Sequence, residues 1–225
     1  MARDITKLHP DLQKLVASLQ KECLLQGLKI GISECVRTIA EQDALYAQGR
    51  TAPGGIVTNA KGSTYSSMHQ WGVAFDFYRN DGRGAYLDAD GFFTKVGKIG
   101  QKLGLEWGGT WKSPVDKPHF QLPDWGSTSS IIKITYGTPG NFMKTWATPT
   151  KTITAASPKE HIMWLQERVN RYSDAGIDVD GRYGPRTKQA VLNYWKRLKW
   201  NQHGRDDGTR AGKATIEALA AGRAR

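Results

Sequence analysis

In the first quarter of the chain the apolar positions follow a period near 3.6. Leu12, Leu15, Val16, Leu19 and Cys23 share one face, Pro10 stands where a first helical turn tolerates it, and Gly27 is placed to end the run. A strand is expected over Lys29 to Arg37, a helix over Glu41 to Gln48, and a glycine-containing loop, entered through Pro53, from Gly54 to Ser63. The pattern then changes to period two. Val73, Phe75 and Phe77 fall on one face of a strand over Gly72 to Phe77, and Gly72, Ala74 and Asp76 fall on the other. Residues 90–103 return to helix through Phe92, Phe93, Val96, Ile99 and Leu103, Gly104 stops them, and His119 to Leu122 makes a last short strand.

Residues 147–158 are rich in Thr, Ala and Pro, carry no long apolar pattern and read as a linker. Beyond them the pattern is helical throughout: Ile162, Leu165, Val169 and Tyr172 in one helix, Ala190, Val191, Tyr194 and Leu198 in a second, and a third from about Ala211 to Ala221. The loops before the last two helices resemble each other, Asp180-Gly181-x-x-Gly184-x-x-Thr187 against Asp207-Gly208-x-x-x-Gly212-x-x-Thr215, a weak internal repeat. The expected architecture is therefore an α+β domain over residues 1–146, with a small antiparallel sheet and flanking helices, followed by an all-α three-helix domain over 159–225.

Composition narrows the classes without choosing among them. With 225 residues, 39% hydrophobic and 24% charged, the chain is an ordinary globular protein, which excludes a disordered, collagen-like or disulfide-scaffold protein. No window approaches the roughly 20 apolar residues of a membrane span, so no stable membrane insertion is expected. The N-terminal residues lack the apolar core of a signal peptide, and synthesis in a cytoplasm is expected. A net charge of +11 points to an anionic partner, for which nucleic acid, anionic lipid and bacterial wall polymers all qualify. Cys23 and Cys35 are expected to be buried thiols and not a bridge.

Two histidines sit in segments of unusual design. In Ser67-x-His69-x-x-Gly72-x-Ala74-x-Asp76, small residues beside a carboxylate leave a hollow next to an imidazole, a setting that suits a metal ion and its water. In Asp116-Lys117-Pro118-His119-Phe120-Gln121, alternation points Phe120 one way and His119 and Gln121 the other, which gives His119 the position of a third ligand. Two histidines and one aspartate leave a tetrahedral zinc one open position for water, the composition of a catalytic site. Asp116 would face away in a straight strand, but Lys117-Pro118 favours a bend that brings its carboxylate back as a base. The ordinary alternatives are a packed or solvated histidine and an aspartate that caps a turn.

As a set these residues resemble the zinc D-alanyl-D-alanine peptidases, and within them the L-alanyl-D-glutamate endopeptidases of bacteriophage endolysins. The resemblance spans roughly residues 25 to 125 and includes Arg37-x-x-x-x-Gln42, Leu45-Tyr46-x-x-Gly49-Arg50 and Glu106-Trp107-Gly108-Gly109-x-Trp111. It implies that His69, Asp76 and His119 bind zinc, that Asp116 is the general base, and that Arg37 stabilises the scissile carbonyl and its developing oxyanion. By the same resemblance Ser67 and Gln42 bind peptide carbonyls or carboxylates, and Trp107 and Trp111 line the cleft, with core packing as the alternative for the tryptophans. Asp180-Gly181-x-Tyr183-Gly184-Pro185-x-Thr187-x-x-Ala190-Val191 is similar to the three-helix peptidoglycan-binding domain found beside wall hydrolases, with exposed Tyr, Trp or Arg near Tyr183 as candidate contacts.

The expectation is a monomeric endolysin that cuts the stem peptide of bacterial peptidoglycan and binds no nucleic acid, made in the host cytoplasm and released through a separate pore to act at the wall. Its rivals are a D-alanyl-D-alanine carboxypeptidase on the same zinc site, a non-catalytic wall-binding protein, and a basic helix-turn-helix module at the C-terminus, where residues 159–225 carry 14 basic against 8 acidic side chains. His161 and His203 are expected to be surface residues.

Overall fold

The computed structural model describes residues 4–200 and 206–223. His203 lies outside the described residues. Two compact units divide between Pro139 and Gly140.

The first unit is built on a four-stranded antiparallel sheet of β1 (Ile30–Glu34), β2 (Ala74–Arg79), β3 (Glu106–Trp107) and β4 (His119–Gln121), in the order β1-β2-β4-β3. Helices α1 (Pro10–Leu25), α2 (Ile39–Ala47), α3 (Phe92–Lys102) and α4 (Ser130–Tyr136) complete it, and α5 (Pro139–Lys144) begins where it ends. On one side of the sheet Phe77 stacks on Phe120 at 5.2 Å and meets Phe93 of α3 at the same distance, while Phe75 lies 5.6 Å from Phe120. Leu12, Val16, Leu19 and Cys23 of α1 are fully buried, the face expected from the sequence, and α1 packs against α3. Full burial of side chains this large contributes about 1.5–3 kcal/mol each, which makes the aromatic layer a rigid floor for the opposite side of the sheet.

Three local departures from the sequence pattern have physical causes. The first strand ends at Glu34 and not Arg37, because the pairing with β2 slips between Ile32 and Glu34. Arg37 therefore sits in the segment after the strand, tied by its N–H to the carbonyl of His69 at 3.3 Å. The second strand begins at Ala74 and not Gly72, because Met68–Trp71 forms one 3₁₀ turn that Gly72 closes in the left-handed region at φ 68°. Helices α4 and α5 have no counterpart in the sequence pattern, since six or seven residues bury only Ile132 and Tyr136 in one and Phe142 in the other.

The second unit packs α6 (Lys159–Ser173), α7 (Pro185–Arg197) and α8 (Lys213–Ala220) around Trp164, Leu165, Val169, Val191, Tyr194 and Leu219. The unit boundary falls ahead of the 147–158 stretch that reads as a linker, because Ile153 is fully buried in this core and exchanges backbone hydrogen bonds of 2.9 and 2.8 Å with Ala211. The repeated Asp-Gly loops are turns, with Gly181 at φ 72° and Gly208 at φ 76°, a region that L side chains rarely enter. Buried Gln166 of α6 closes the first of them by donating to Asp180, Thr187 and the carbonyl of Arg182 and accepting from the Gly181 N–H. Tyr183 closes the second by donating to the carbonyl of Gly208 at 2.9 Å. His161 is half-buried on α6.

Candidate active site

The site lies on the sheet face opposite the aromatic layer. Asp76 of β2 stands directly across from His119 of β4, and the turn that carries His69 runs straight into β2, so all three side chains converge. His69 Nε2 and His119 Nδ1 are 3.2 Å apart, and Asp76 Oδ1 lies 3.1 Å from His119 Nδ1 and 3.4 Å from His69 Nε2. Among the described residues this is the group of three or more His, Cys, Asp or Glu able to hold a metal ion.

The surrounding hydrogen bonds decide which atoms face inward. His69 donates its Nδ1–H to the carbonyl of Cys35 at 2.9 Å, which leaves Nε2 as a lone pair. His119 donates its Nε2–H to Oε1 of Gln121 at 3.0 Å, which leaves Nδ1 as a lone pair. Two imidazole lone pairs and a carboxylate oxygen thus meet with no proton between them, an arrangement that repels itself until a cation enters. A tetrahedral zinc with bonds of about 2.0–2.1 Å separates its ligand atoms by about 3.3 Å. The donor set and its three separations therefore fit the ion.

Electrostatics agree with this. Burial by itself would raise Asp76, but His69 and then His119 outweigh it and hold the carboxyl well below the ordinary carboxylate range. Burial would lower His119, yet the hydrogen bond and charge of Asp76 raise it above the ordinary imidazole value, the same pull toward positive charge that a cation would answer.

The backbone turns between Asp116 and His119. The Asp116 carbonyl accepts from the N–H of His119 at 3.2 Å, a tight turn across Lys117 and Pro118, and the Asp116 N–H donates to the carbonyl of Gly108 at 3.0 Å. A Cβ on Gly108 would lie 2.5 Å from the Asp116 carbonyl oxygen and 3.1 Å from the Cβ of His119, so only glycine lets the two backbones run this close. Burial, and then the charge of Asp76, push the Asp116 carboxyl above its ordinary value, against the pull of His119, His69 and Arg37. The Arg37 guanidinium donates to Glu34, to Asp76 Oδ2 at 3.2 Å and to Gln42 Oε1 at 3.4 Å. These use three of its five N–H donors and hold the group beside the ligand set.

The remaining expected site residues divide. Trp111 is half-buried with its ring 5.0 Å from the His119 imidazole, at the site. Trp107 is not in the cleft: on a strand the residue after Glu106 faces the other side, so Trp107 pairs with Phe120 and is 5% exposed in the core. Gln42 is fully buried, and its amide donates to Thr58 and to the carbonyl of Ala60 while accepting from Arg37, so it orients Arg37 and does not itself face a substrate. Ser67 is half-buried at the start of the His69 turn and makes no capping bond there. Sequence reading had no signal for the Cys35 carbonyl. Alternation did place Gln121 on the His119 face without revealing its hydrogen bond.

A converging two-histidine, one-aspartate site on a small antiparallel sheet defines a metallopeptidase of the D-alanyl-D-alanine peptidase type. The family model described as D-alanyl-D-alanine carboxypeptidase matches residues 60–122, which include His69, Asp76, Asp116 and His119. Over 124 residues the chain is 37% identical to the peptidoglycan L-alanyl-D-glutamate endopeptidase CwlK of Bacillus subtilis (strain 168), covering 51% of this chain and 73% of that protein. It is also 33% identical over 102 residues to the L-alanyl-D-glutamate peptidase of Listeria phage A118, covering 43% of this chain and 31% of that protein. The chain belongs to this peptidase family. A solved structure, the L-Ala D-Glu endopeptidase ChiX of Serratia marcescens, aligns at 23% identity and a TM-score of 0.41 over 52% of this chain and 82% of that one.

Proposed function

We propose that this chain is a zinc endopeptidase that hydrolyses the L-alanyl-D-glutamate amide in the stem peptide of bacterial peptidoglycan. The observation that carries the reading is the triangle of His69 Nε2, His119 Nδ1 and Asp76 Oδ1, with separations of 3.1 to 3.4 Å and each imidazole committed by its other nitrogen. The bond is that of the printed names of CwlK and the Listeria phage enzyme. When bound, zinc supplies Lewis-acid polarisation of the scissile carbonyl and acidifies a water molecule.

The chain's own residues do the rest. Asp116, its carboxyl raised above the ordinary value by burial and the charge of Asp76, takes the proton of the attacking water in its ionised form and returns it to the leaving amine. Arg37, fixed by Glu34, Asp76 and Gln42, turns its unused N–H donors toward the charge that grows on the carbonyl oxygen. Trp111 forms a wall beside His119, and Ser67, at the start of the turn that carries His69, meets the peptide in this reading. The three-helix unit holds the enzyme on the wall, and the net charge of +11 favours that anionic polymer. In this reading the protein is a monomeric endolysin, made in the host cytoplasm.

Mass spectrometry of purified peptidoglycan after digestion, with and without a chelator, tests the reading. A new D-glutamate amino terminus that disappears with chelator is the expected product. Free D-alanine would place the chain with the carboxypeptidases that give the matched family its description. No product, with the protein still bound to the wall, would reduce it to a binding protein.

A further inference from the structure

The sheet carries a second row of side chains behind the ligand row. Asp76 lies across from His119, and two residues along the same face Ala74, Gln121 and Glu106 stand side by side on β2, β4 and β3. Gln121 is 1% exposed. Its Oε1 accepts from His119 Nε2–H at 3.0 Å, and its Nε2 donates to Glu106 at 3.2 Å and to the carbonyl of Gly126 at 3.3 Å. The other oxygen of Glu106 accepts from the indole N–H of Trp111 at 2.7 Å, the ring that packs on His119.

A primary amide has two ends of nearly the same shape, and Gln121 could present either to His119. A carboxylate and a backbone carbonyl only accept, so Glu106, closer and charged, with the Gly126 carbonyl beside it, receives the amino end and leaves the carbonyl end for the imidazole. That end requires a proton on His119 Nε2 and leaves Nδ1 bare toward His69 and Asp76. The reverse flip would put an N–H against Nε2, drive the proton onto Nδ1 and close the atom the metal needs.

We propose that Glu106 is a positioning residue for the metal centre: through Gln121 it selects the His119 tautomer, and through Trp111 it fixes the plane of the ring. The inference rests on the zinc reading above, and outer contacts of this kind are worth about 10–100-fold in metal affinity.

The test uses the full chain with Glu106→Ala and the milder Glu106→Gln, which keeps one acceptor for the two donors and guards against a variant that fails to fold. Two quantities are read: the zinc dissociation constant by competition with a chromogenic chelator, and the His119 tautomer by long-range ¹⁵N NMR of zinc-free protein at alkaline pH. Glu106→Ala is expected to weaken zinc by about 10–100-fold and to convert a pure Nε2–H signal into a mixture, with Glu106→Gln in between. Unchanged affinity and tautomer in Glu106→Ala, even with a lowered melting temperature, would overturn the proposal. If wild type takes up no zinc, the zinc reading fails by itself, and the tautomer comparison still decides whether Glu106 controls His119.

Discussion

Replacing Gly108 by alanine should separate Asp116, the proposed base, from the proposed metal ligands His69, Asp76 and His119. The added Cβ would sit 2.5 Å from the Asp116 carbonyl oxygen, against 3.4 Å for ordinary contact, so the 116 turn must retreat by the difference, about 0.9 Å. His119 also meets the new methyl, at 3.1 Å from its Cβ, but its place on β4 between β2 and β3 and the Gln121 bond restrain it, whereas Asp116 lies in a turn held by two backbone bonds, to the substituted residue and to the His119 N–H. The strain of overpacking is about 1–3 kcal/mol, and a displacement near 1 Å of a catalytic group costs about 100-fold in rate. Gly108→Ala is therefore expected to keep one zinc per chain, melt roughly 2–10 °C lower and lose about 100-fold in kcat/KM on a soluble stem peptide. Zinc content by elemental mass spectrometry, calorimetry and a peptide-cleavage assay report the three quantities. A fully active Gly108→Ala enzyme would refute the placement of Asp116 as base, and loss of zinc with retained Asp116 chemistry would refute the separation.

Other consequences follow from the same geometry. Asp116→Asn should retain zinc and lose about 10²–10⁴ in kcat, as expected for a missing general base. Because burial raises the Asp116 carboxyl and only its ionised form accepts a proton, the zinc-free protein should show this residue titrating above the ordinary value of 3.8, measurable by ¹³C NMR, and activity should fall as pH drops through its titration. Burial pushes both Cys23 and Cys35 up to about 12, so neither thiol should react with iodoacetamide at pH 8 until the protein is unfolded, as read by intact mass. Gln166→Ala strands the Gly181 N–H and the polar groups around it, each such buried group costing about 1–3 kcal/mol; calorimetry should show the three-helix unit melting earlier, while soluble-peptide cleavage is unchanged.

The convergence of His69, Asp76 and His119 was legible because strand alternation is a strict period. His119 and Asp76 fall on facing positions of adjacent strands, and spacing alone puts His69 one turn ahead of Asp76. The same period, applied to Glu106-Trp107, would have sent Trp107 to the core, where it is found; the family resemblance had put it in the cleft, with core packing as the alternative. Arg37 reached the site by another route than the straight strand expected, because a register slip is invisible to hydrophobic pattern. Gln42 looked like a substrate contact because a polar residue at fixed spacing from Arg37 does not announce that it is buried against the 58–60 loop. What sequence lacked altogether were contacts made by backbone, such as the Cys35 carbonyl, and contacts between strands whose order was unknown, such as Gln121 with Glu106. The linker reading failed to see Ile153 as core, since one apolar residue among Thr and Ala has no periodicity.

The central claim is a single zinc held by His69, Asp76 and His119, and anomalous diffraction at the zinc edge from crystals of the zinc-loaded chain tests it most directly. The account predicts one peak per chain, about 2.0–2.2 Å from His69 Nε2, His119 Nδ1 and Asp76 Oδ1, and none in a His119→Ala variant. A peak elsewhere, ligation through the opposite nitrogen of either histidine, or no peak at full zinc loading would contradict it.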